Sequence, residues 1–152
     1  VPPRERMMLN LYLGMARQAD SLYAPAIVAL FDAADAAQTI PDNLSLGIIY
    51  RTIAEIYSEV YNDMEALHYS KMSLSNFVRS RRQPHIRYAR LDLAISYNNA
   101  LLRDSCLTEA DSVITEARET ADTALLIEAL KIKTFAHIAN GNCPKALTVY
   151  GN

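Results

Sequence analysis

Apolar residues recur every three or four positions along most of the chain, and this spacing limits its fold more than any other feature. Ile49, Ile53, Ile56 and Val60 show the spacing without interruption. Such a period places one apolar face on an α-helix, whereas the strict alternation that predicts a β-strand is absent. The apolar stripes are broken near proposed helix boundaries by Pro25, Pro41, Pro84 and Pro144. Proline is tolerated in the first turn of a helix, so these prolines mark helix starts. The apolar period and these boundaries together predict an all-α chain.

The stripes and their breaks divide the chain into eight predicted helices. Their bounds are about 4–20, 23–38, 43–60, 63–81, 84–103, 106–120, 122–139 and 143 to the end. The predicted N-caps, whose side chains can accept a hydrogen bond from a free helix N–H, are Asp63, Ser105, Asp122 and Asn142. The last helix is predicted to be cut short, because its apolar run reaches Tyr150 and the sequence stops at Asn152.

Alanines mark a recurring place in successive pairs of these helices. The first turn of each second helix holds one of them, at Ala26, Ala66, Ala110 and Ala146. Mostly small residues stand twelve positions earlier, at Gly14, Ala54, Asn98 and Thr134. The spacing between successive alanines varies, whereas the interval within each pair is constant. A constant interval within each pair predicts an internal repeat of helical hairpins, with an ordinary antiparallel helical bundle as the alternative.

The repeat resembles the tetratricopeptide repeat (TPR), whose pattern is W-x2-L-G-x2-Y followed by A-x3-F. The second unit carries this pattern best, as Tyr50-x2-Ile53-Ala54-x2-Tyr57 and then Ala66-x3-Ser70. The resemblance implies a right-handed α-α superhelix, which is a TPR-like solenoid of antiparallel helix hairpins, over residues 1–152. The hairpins would span about 4–38, 43–81, 84–120 and 122–152, and the last of them would be truncated.

Two residues depart from the family pattern. Arg17 stands where the first unit should have an aromatic residue, and Lys133 stands where the fourth unit should be apolar. A shift of the seventh helix by one position, to Ala129 and Ile132, would restore the pattern there. Two registers therefore stay open for this helix.

In TPR arrays the first helices of successive hairpins line a concave groove, so the resemblance implies a binding surface on those helices. Its predicted lining is Tyr12, Met15, Arg51, Thr52, Glu55, Ser58, Asn99, Arg103, Lys131 and Phe135. This mixture of apolar, polar and charged side chains is typical of extended-peptide or helix recognition. The basic positions do not align into the Lys/Asn/Arg clamp that some family members use for a terminal carboxylate.

A cluster of arginines surrounds the break at Pro84, and its members are Arg79, Arg81, Arg82, Arg87 and Arg90. The cluster can be structural, because cations stabilise the last turn of a helix and a linker between repeats is normally solvated. It can also be an anionic site for a phosphate, a nucleic acid or an acidic peptide. The net charge of −2 and the pI of about 5.9 argue against a general nucleic-acid binder.

Motifs that carry catalysis or hold cofactors are missing from the sequence. It has no phosphate loop, no GxGxxG and no GxSxG. His68, His85 and His137 each lack a second His or Cys at the spacing of a helical metal pair. The sequence therefore predicts no catalytic residues, no metal site and no cofactor.

The two cysteines, Cys106 and Cys143, are predicted to lie in equivalent hairpin turns as free thiols. Equivalent turns of stacked hairpins lie about 10 Å apart, which exceeds the Cα separation of about 7 Å that a disulfide allows.

No uncharged stretch is longer than Ser21–Phe31, which is too short to cross a bilayer, and no signal peptide is visible. A cytoplasmic location is favoured, with the bacterial periplasm as the alternative.

The repeat pattern and the missing catalytic motifs together predict a non-catalytic scaffold that binds a protein or a peptide. Long, irregular repeats are similar to those in regulatory portions of bacterial multidomain proteins, so the chain is expected to be the interaction or sensory part of such a protein. Exposed end hairpins would also allow self-association. The alternatives are nucleic-acid or anionic-ligand binding through the arginine cluster, and a helical enzyme with an unrecognised pocket.

Overall fold

Eight α-helices make up nearly all of the computed structural model, which describes residues 1–149. They are α1 (Pro3–Ala19), α2 (Tyr23–Thr39), α3 (Asn43–Glu59), α4 (Asp63–Ser80), α5 (Gln83–Asn99), α6 (Arg103–Glu119), α7 (Thr123–Ala139) and α8 (Cys143–Thr148). No strand occurs within the described range, so the prediction of an all-α chain is confirmed. The predicted run of the last helix over Tyr150–Asn152 lies outside the described residues.

The helices begin at a constant spacing, as the starts at Tyr23, Asn43 and Asp63 show, and each hairpin therefore repeats after two such steps. The predicted register of the third repeat is wrong by one helical turn. The residue equivalent to Ala26 and Ala66 is Cys106, and not Ala110. Both Cys106 and Ala110 are fully buried. Because two small residues lie one turn apart on the same buried face, composition alone did not distinguish them.

The turns between helices repeat with the same constant spacing. A residue with left-handed backbone conformation, with φ between 54° and 72°, occurs at Ser21, Tyr61, Arg81, Leu101, Ala121 and Gly141. In several turns the following N–H donates to a carbonyl five positions back, as Leu22 does to Arg17 at 2.8 Å. This arrangement ends a helix by satisfying its last carbonyls. Pro41 occupies the remaining equivalent position, where its ring excludes a positive φ.

Side-chain caps start four of the helices. Asp122 accepts from the Leu125 N–H at 3.0 Å and Asn142 from the Lys145 N–H at 3.4 Å, which confirms two predicted caps. The predicted cap at Asp63 is wrong, because Asn62 caps α4 one position earlier. The predicted cap at Ser105 is also wrong, since α6 already begins at Arg103 and Ser105 lies in its first turn. Asp42 caps α3 through the Ser45 N–H.

The chain divides into two compact units, Val1–Arg82 and Gln83–Asn152. In the first unit α1 pairs with α2, α3 pairs with α4, and α2 packs on α3. Gly14 allows close approach of α1 to α2, because a Cβ at this position would lie 2.6 Å from Leu30 Cγ. Gly47 allows the same approach of α3 to Phe77 on α4.

Four aromatic side chains of the first unit, Phe31, Tyr50, Tyr57 and Tyr69, form a cluster between its two hairpins. The Tyr69 ring stacks on Tyr57 with a centroid distance of 5.6 Å and on Tyr50 at 6.0 Å. It packs edge-to-face with Phe31 at a centroid distance of 5.7 Å. We call this group the aromatic cluster. It fills the space where α2, α3 and α4 meet.

The second unit has the same order of pairing. Here α5 packs on α6, α6 on α7, and α7 on both α5 and α8. Its core contains Leu91 from α5, Val113 and Ala117 from α6, and Leu125 and Ala129 from α7. These contacts bury the apolar stripes that the sequence placed on the same helices.

Candidate functional site

The outer face of α1 exposes a row of apolar side chains in the first unit. Met8, Tyr12 and Met15 are separated by four and then three positions, which places them on one side of the helix. Tyr12 is 60% exposed and Met15 is 45% exposed. Both belong to the predicted groove lining, and they are its apolar members in the first unit.

The predicted lining residues on α3 differ in how available they are. Arg51 and Glu55 form an ion pair at 3.5 Å one turn apart, and Glu55 is exposed. Ser58 is half-buried on the following turn. Thr52 is buried, and its hydroxyl donates to the Ile48 carbonyl at 2.9 Å. The exposed part of α3 is therefore charged.

A hydrogen bond links the two helices of this surface. Gln18 on α1 donates from Nε2 to Glu59 Oε1 on α3 at 3.0 Å. The first unit thus presents the apolar row of α1 together with the charged pair of α3. We call these residues, Met8, Tyr12, Met15, Arg51 and Glu55, the α1–α3 surface.

The predicted lining residues of the second unit lie on three helices. Phe135 on α7 is 55% exposed, and Lys131 pairs with Glu128 at 2.8 Å on the same helix. Asn99 is exposed at the end of α5. Arg103 was predicted to end the fifth helix, but it is the first residue of α6. Its guanidinium donates to the backbone and side-chain oxygens of Asn98, so it fastens the turn between α5 and α6.

The arginine cluster is divided between the two units. Arg79, Arg81 and Arg82 are exposed at the end of the first unit. In the second unit Arg90 pairs through Nη1 with Glu116 Oε2 at 3.5 Å. Arg87 is half-buried on α5 with its Nε enclosed. The structure therefore leaves three of the five guanidinium groups fully available to an anion.

One side of α1, which carries Leu9 and Leu13, is apolar and exposed, and the sequence alone did not identify it. Leu9 is 65% exposed and Leu13 is 38% exposed. One hairpin later the equivalent residues, Ile49 and Ile53, are fully buried in the core that includes α2. The same side of the helix thus packs on a neighbour in α3 and is open in α1. The constant hairpin period is the signal that identifies this face.

The cysteines differ in exposure and chemistry. Both thiols are free, with Cys106 buried and Cys143 exposed. Burial raises the pKa of the Cys106 thiol to about 11, while the nearby Arg103 acts in the opposite direction. Cys106 lies inside α6 and not in a turn as predicted. Its protonated thiol occupies the place that alanine takes in the equivalent helices.

Residues 1–149 contain no group of three or more His, Cys, Asp and Glu side chains arranged to hold a metal ion. No described helix is both long enough and apolar enough to span a membrane.

A cavity of about 410 Å³ lies in the second unit among α6, α7 and α8. Arg118, Lys133, His137 and Lys145 all contribute to its lining. Sequence reasoning noted Lys133 only as a departure from the repeat pattern. The constant helix spacing keeps Lys133 in the position of Ile53, without the shift in register that the sequence left open.

No family model matches this sequence, and no curated protein matches it. Solved structures do match. One is a protein from Podosopora anserina assigned as a kinesin light chain with nearly identical TPR-like repeats. It has a TM-score of 0.80 and 14% sequence identity, over 95% of this chain and 72% of that chain.

A second similar structure is a Rap protein complexed with the competence and sporulation factor. It has a TM-score of 0.75 and 14% sequence identity, over 96% of this chain. The chain spans 41% of the length of that protein. Together with the eight helices and their constant spacing, these likenesses show that the fold is an all-α, TPR-like array of helical hairpins.

Proposed function

We propose that this chain is a non-catalytic scaffold that binds a protein or a peptide across the α1–α3 surface. The observation that carries the proposal is the exposed row of Met8, Tyr12 and Met15. Exposed apolar side chains that lie together beside charged ones mark interaction sites in proteins. Aromatic residues with partial exposure supply large contact areas in such sites.

The charged pair on α3 adds polar recognition to this surface. Arg51 and Glu55 pair at 3.5 Å, and their side chains are 42% and 51% exposed, so both charged groups can contact a partner. On the second unit we propose that Phe135 and Asn99, both exposed, make contacts of the same kind. A helical or extended peptide with apolar residues at regular spacing fits this chemistry.

We further propose that the chain serves as the interaction or sensory part of a larger bacterial regulatory protein. The shared fold with a Rap protein that was solved in complex with a factor supports this proposal. The resemblance concerns the arrangement of hairpins, because only 14% of residues are identical.

The proposal is tested by selecting peptides from a displayed random peptide library on the full chain. Selected peptides are then measured against Tyr12→Ala/Met15→Ala and against a control, Tyr61→Ala, whose aromatic ring is exposed in a turn. We expect the double variant to weaken binding at least about tenfold, since truncating a central contact residue typically costs more than about 1 kcal/mol. The control should bind as the parent does. A library that enriches no peptide, or peptides that bind all three proteins equally, would refute the proposal.

Self-association through the edge of α1 is a second candidate, favoured by the open positions of Leu9 and Leu13. Their buried equivalents on α3 show that this side of a first helix can pack on another helix. Sedimentation velocity should give a concentration-dependent dimer that Leu9→Glu/Leu13→Glu abolishes. Val28→Glu, on the exposed side of α2, is the control and should leave the dimer intact. A monomer at all concentrations would exclude this candidate.

Anion or nucleic-acid binding remains the competing hypothesis for the arginine cluster. The exposed residues Arg79, Arg81 and Arg82 favour it. Binding to a generic DNA duplex should fall steeply with salt, because phosphate contacts release counterions. Replacing the three arginines by alanine should then remove the binding. Unchanged binding in this variant would exclude the cluster as the contact.

A further inference from the structure

The cavity of the second unit has a counterpart in the first unit at every position of its lining. The lining consists of Asp111, Ile114, Thr115, Arg118, Leu130, Lys133, His137, Lys145, Thr148 and Val149. Two repeat periods earlier the chain has Phe31, Ala34, Asp35, Gln38, Tyr50, Ile53, Tyr57, Glu65, His68 and Tyr69. The second set contains the whole aromatic cluster. The two units thus provide a filled and an open version of the same site.

The open version has no Phe or Tyr at the four positions of the aromatic cluster. Phe31 corresponds to Asp111, and Tyr69 corresponds to Val149. Tyr50 and Tyr57 correspond to Leu130 and His137. At these positions the second unit has a cavity of about 410 Å³, within the size range of small-molecule sites.

The charge of the site changes together with its volume. The first-unit positions carry two carboxylates, from Asp35 and Glu65, and no lysine or arginine. The second-unit lining has three cations, Arg118, Lys133 and Lys145, and one carboxylate, Asp111. With histidine neutral, the formal charge rises from −2 to +2. The lining is therefore electrostatically suited to an anion.

The cations and the apolar groups are distributed so that one molecule can meet both. Lys133 Nζ lies 2.6 Å from Asp111 Oδ1, which fixes its position in the lining. Ile114, Leu130 and Val149 provide an apolar wall, and Ile114 and Val149 are buried. An apolar body would contact this wall while an oxyanion pairs with the cations.

We propose that the second unit binds a small organic anion through this pocket. The ligand has one ring-sized apolar group, which takes the place of the aromatic cluster. It also has a carboxylate or phosphate group, which pairs with Arg118, Lys133 and Lys145. This site is separate from the α1–α3 surface and does not depend on the proposed scaffold function.

Isothermal titration calorimetry on the full chain tests the pocket with two anions, phenyl phosphate and phenylacetate. Benzyl alcohol, which has the ring without the charge, is the neutral comparison. We expect at least one anion to bind at one site per chain and at least about tenfold more tightly than benzyl alcohol, because the charged contacts are missing from the alcohol. The stronger of the two anions identifies the oxyanion. Failure of both anions to bind at millimolar concentration would overturn the proposal, as would equal binding of the alcohol.

Two variants locate the site. Val149→Tyr restores the residue that fills this space in the first unit, and Lys133→Met removes a cation with little change in length. Both should weaken anion binding at least tenfold. Lys131→Met, a lysine on the same helix outside the lining, should leave it unchanged. Far-UV circular dichroism and the thermal midpoint establish that each variant is folded. Folded variants that bind as the parent does would overturn the proposal.

Discussion

The first two hairpins are expected to pack in the same way, and this can be tested by placing a large residue at Gly47 and a small one at Phe77. The Phe77 ring is fully buried, and a Cβ at Gly47 would lie 2.6 Å from its Cδ1 atom. One hairpin earlier the equivalent pair is Met7 and Ala37, both fully buried. The large residue stands on the first helix in one hairpin and on the second helix in the other. The double variant Gly47→Met/Phe77→Ala therefore copies the first hairpin into the second.

The magnitudes follow from the volumes that are added and removed. Phe77→Ala should lower the free energy of unfolding by about 3–5 kcal/mol, because it leaves a cavity where the buried ring was. Gly47→Met should cost about 1–3 kcal/mol by overpacking against that ring. This destabilisation by Gly47→Met is partly offset by about 1 kcal/mol, because methionine has a higher helix propensity than glycine. In the double variant the methionine fills the cavity, so the cost should be well below the sum of the two single costs.

Urea unfolding measures this coupling, followed by far-UV circular dichroism and by tyrosine emission, since the chain has no tryptophan. The coupling energy between the two substitutions should be at least about 2 kcal/mol and favourable, as expected for residues in direct contact. Gly14→Ala combined with Phe77→Ala is the control. Gly14 contacts Leu30, so these two effects should add. A Gly47→Met/Phe77→Ala variant as unstable as the sum of its single variants would refute the shared packing plan.

Three further predictions concern single side chains. A thiol reagent such as DTNB should titrate only Cys143 in the folded chain, because burial raises the pKa of Cys106 to about 11 and shields it; two rapid equivalents would contradict this. Asp122→Ala should lower the free energy of unfolding by about 0.5–2 kcal/mol in urea, since it removes the hydrogen bond to the Leu125 N–H, whereas an unchanged midpoint would show that the cap contributes nothing. Burial, followed by the neighbouring Tyr57, raises the pKa of Tyr69 above its ordinary value of 10.0. The folded state therefore disfavours the phenolate, and stability should fall as the pH rises past about 10; Tyr69→Phe should reduce this fall, and an identical pH dependence of the urea midpoint in both proteins would count against it.

The number and type of the helices could be predicted because their signals are local. The apolar period along Ile49, Ile53 and Ile56 depends only on neighbouring residues, and these side chains are fully buried in the structure. The same holds for the cap at Asp122, which acts within one turn of its own helix. The register between repeats depends on a comparison of positions a whole hairpin apart. The prediction of this register failed in the third repeat, because Cys106 stands where the other repeats have an alanine.

The proposed binding surfaces were less predictable, because the exposure of a side chain depends on which residues pack against it. Tyr12 and Phe135 were predicted lining residues and are exposed, while the predicted Thr52 is buried with its hydroxyl bound to its own helix. Arg103 belongs to the following helix and holds a turn, which its position near a predicted helix end did not reveal. Predicted lining residues therefore differ in whether their side chains are exposed to a partner, and the sequence did not distinguish them.

Periodicity, small residues and helix breakers act over short stretches of chain, so the sequence was sufficient to predict an all-α chain of helical hairpins, and the resemblance to the TPR family implied how they are arranged. Which faces remain open, and where the cavity of the second unit lies, depends on how the helices pack together. Its lining comes from α6, α7 and α8, and no Phe or Tyr stands at the four positions that correspond to the aromatic cluster. Packing volume and the grouping of charges are properties of helices brought together. They emerge only when the hairpins are assembled and compared.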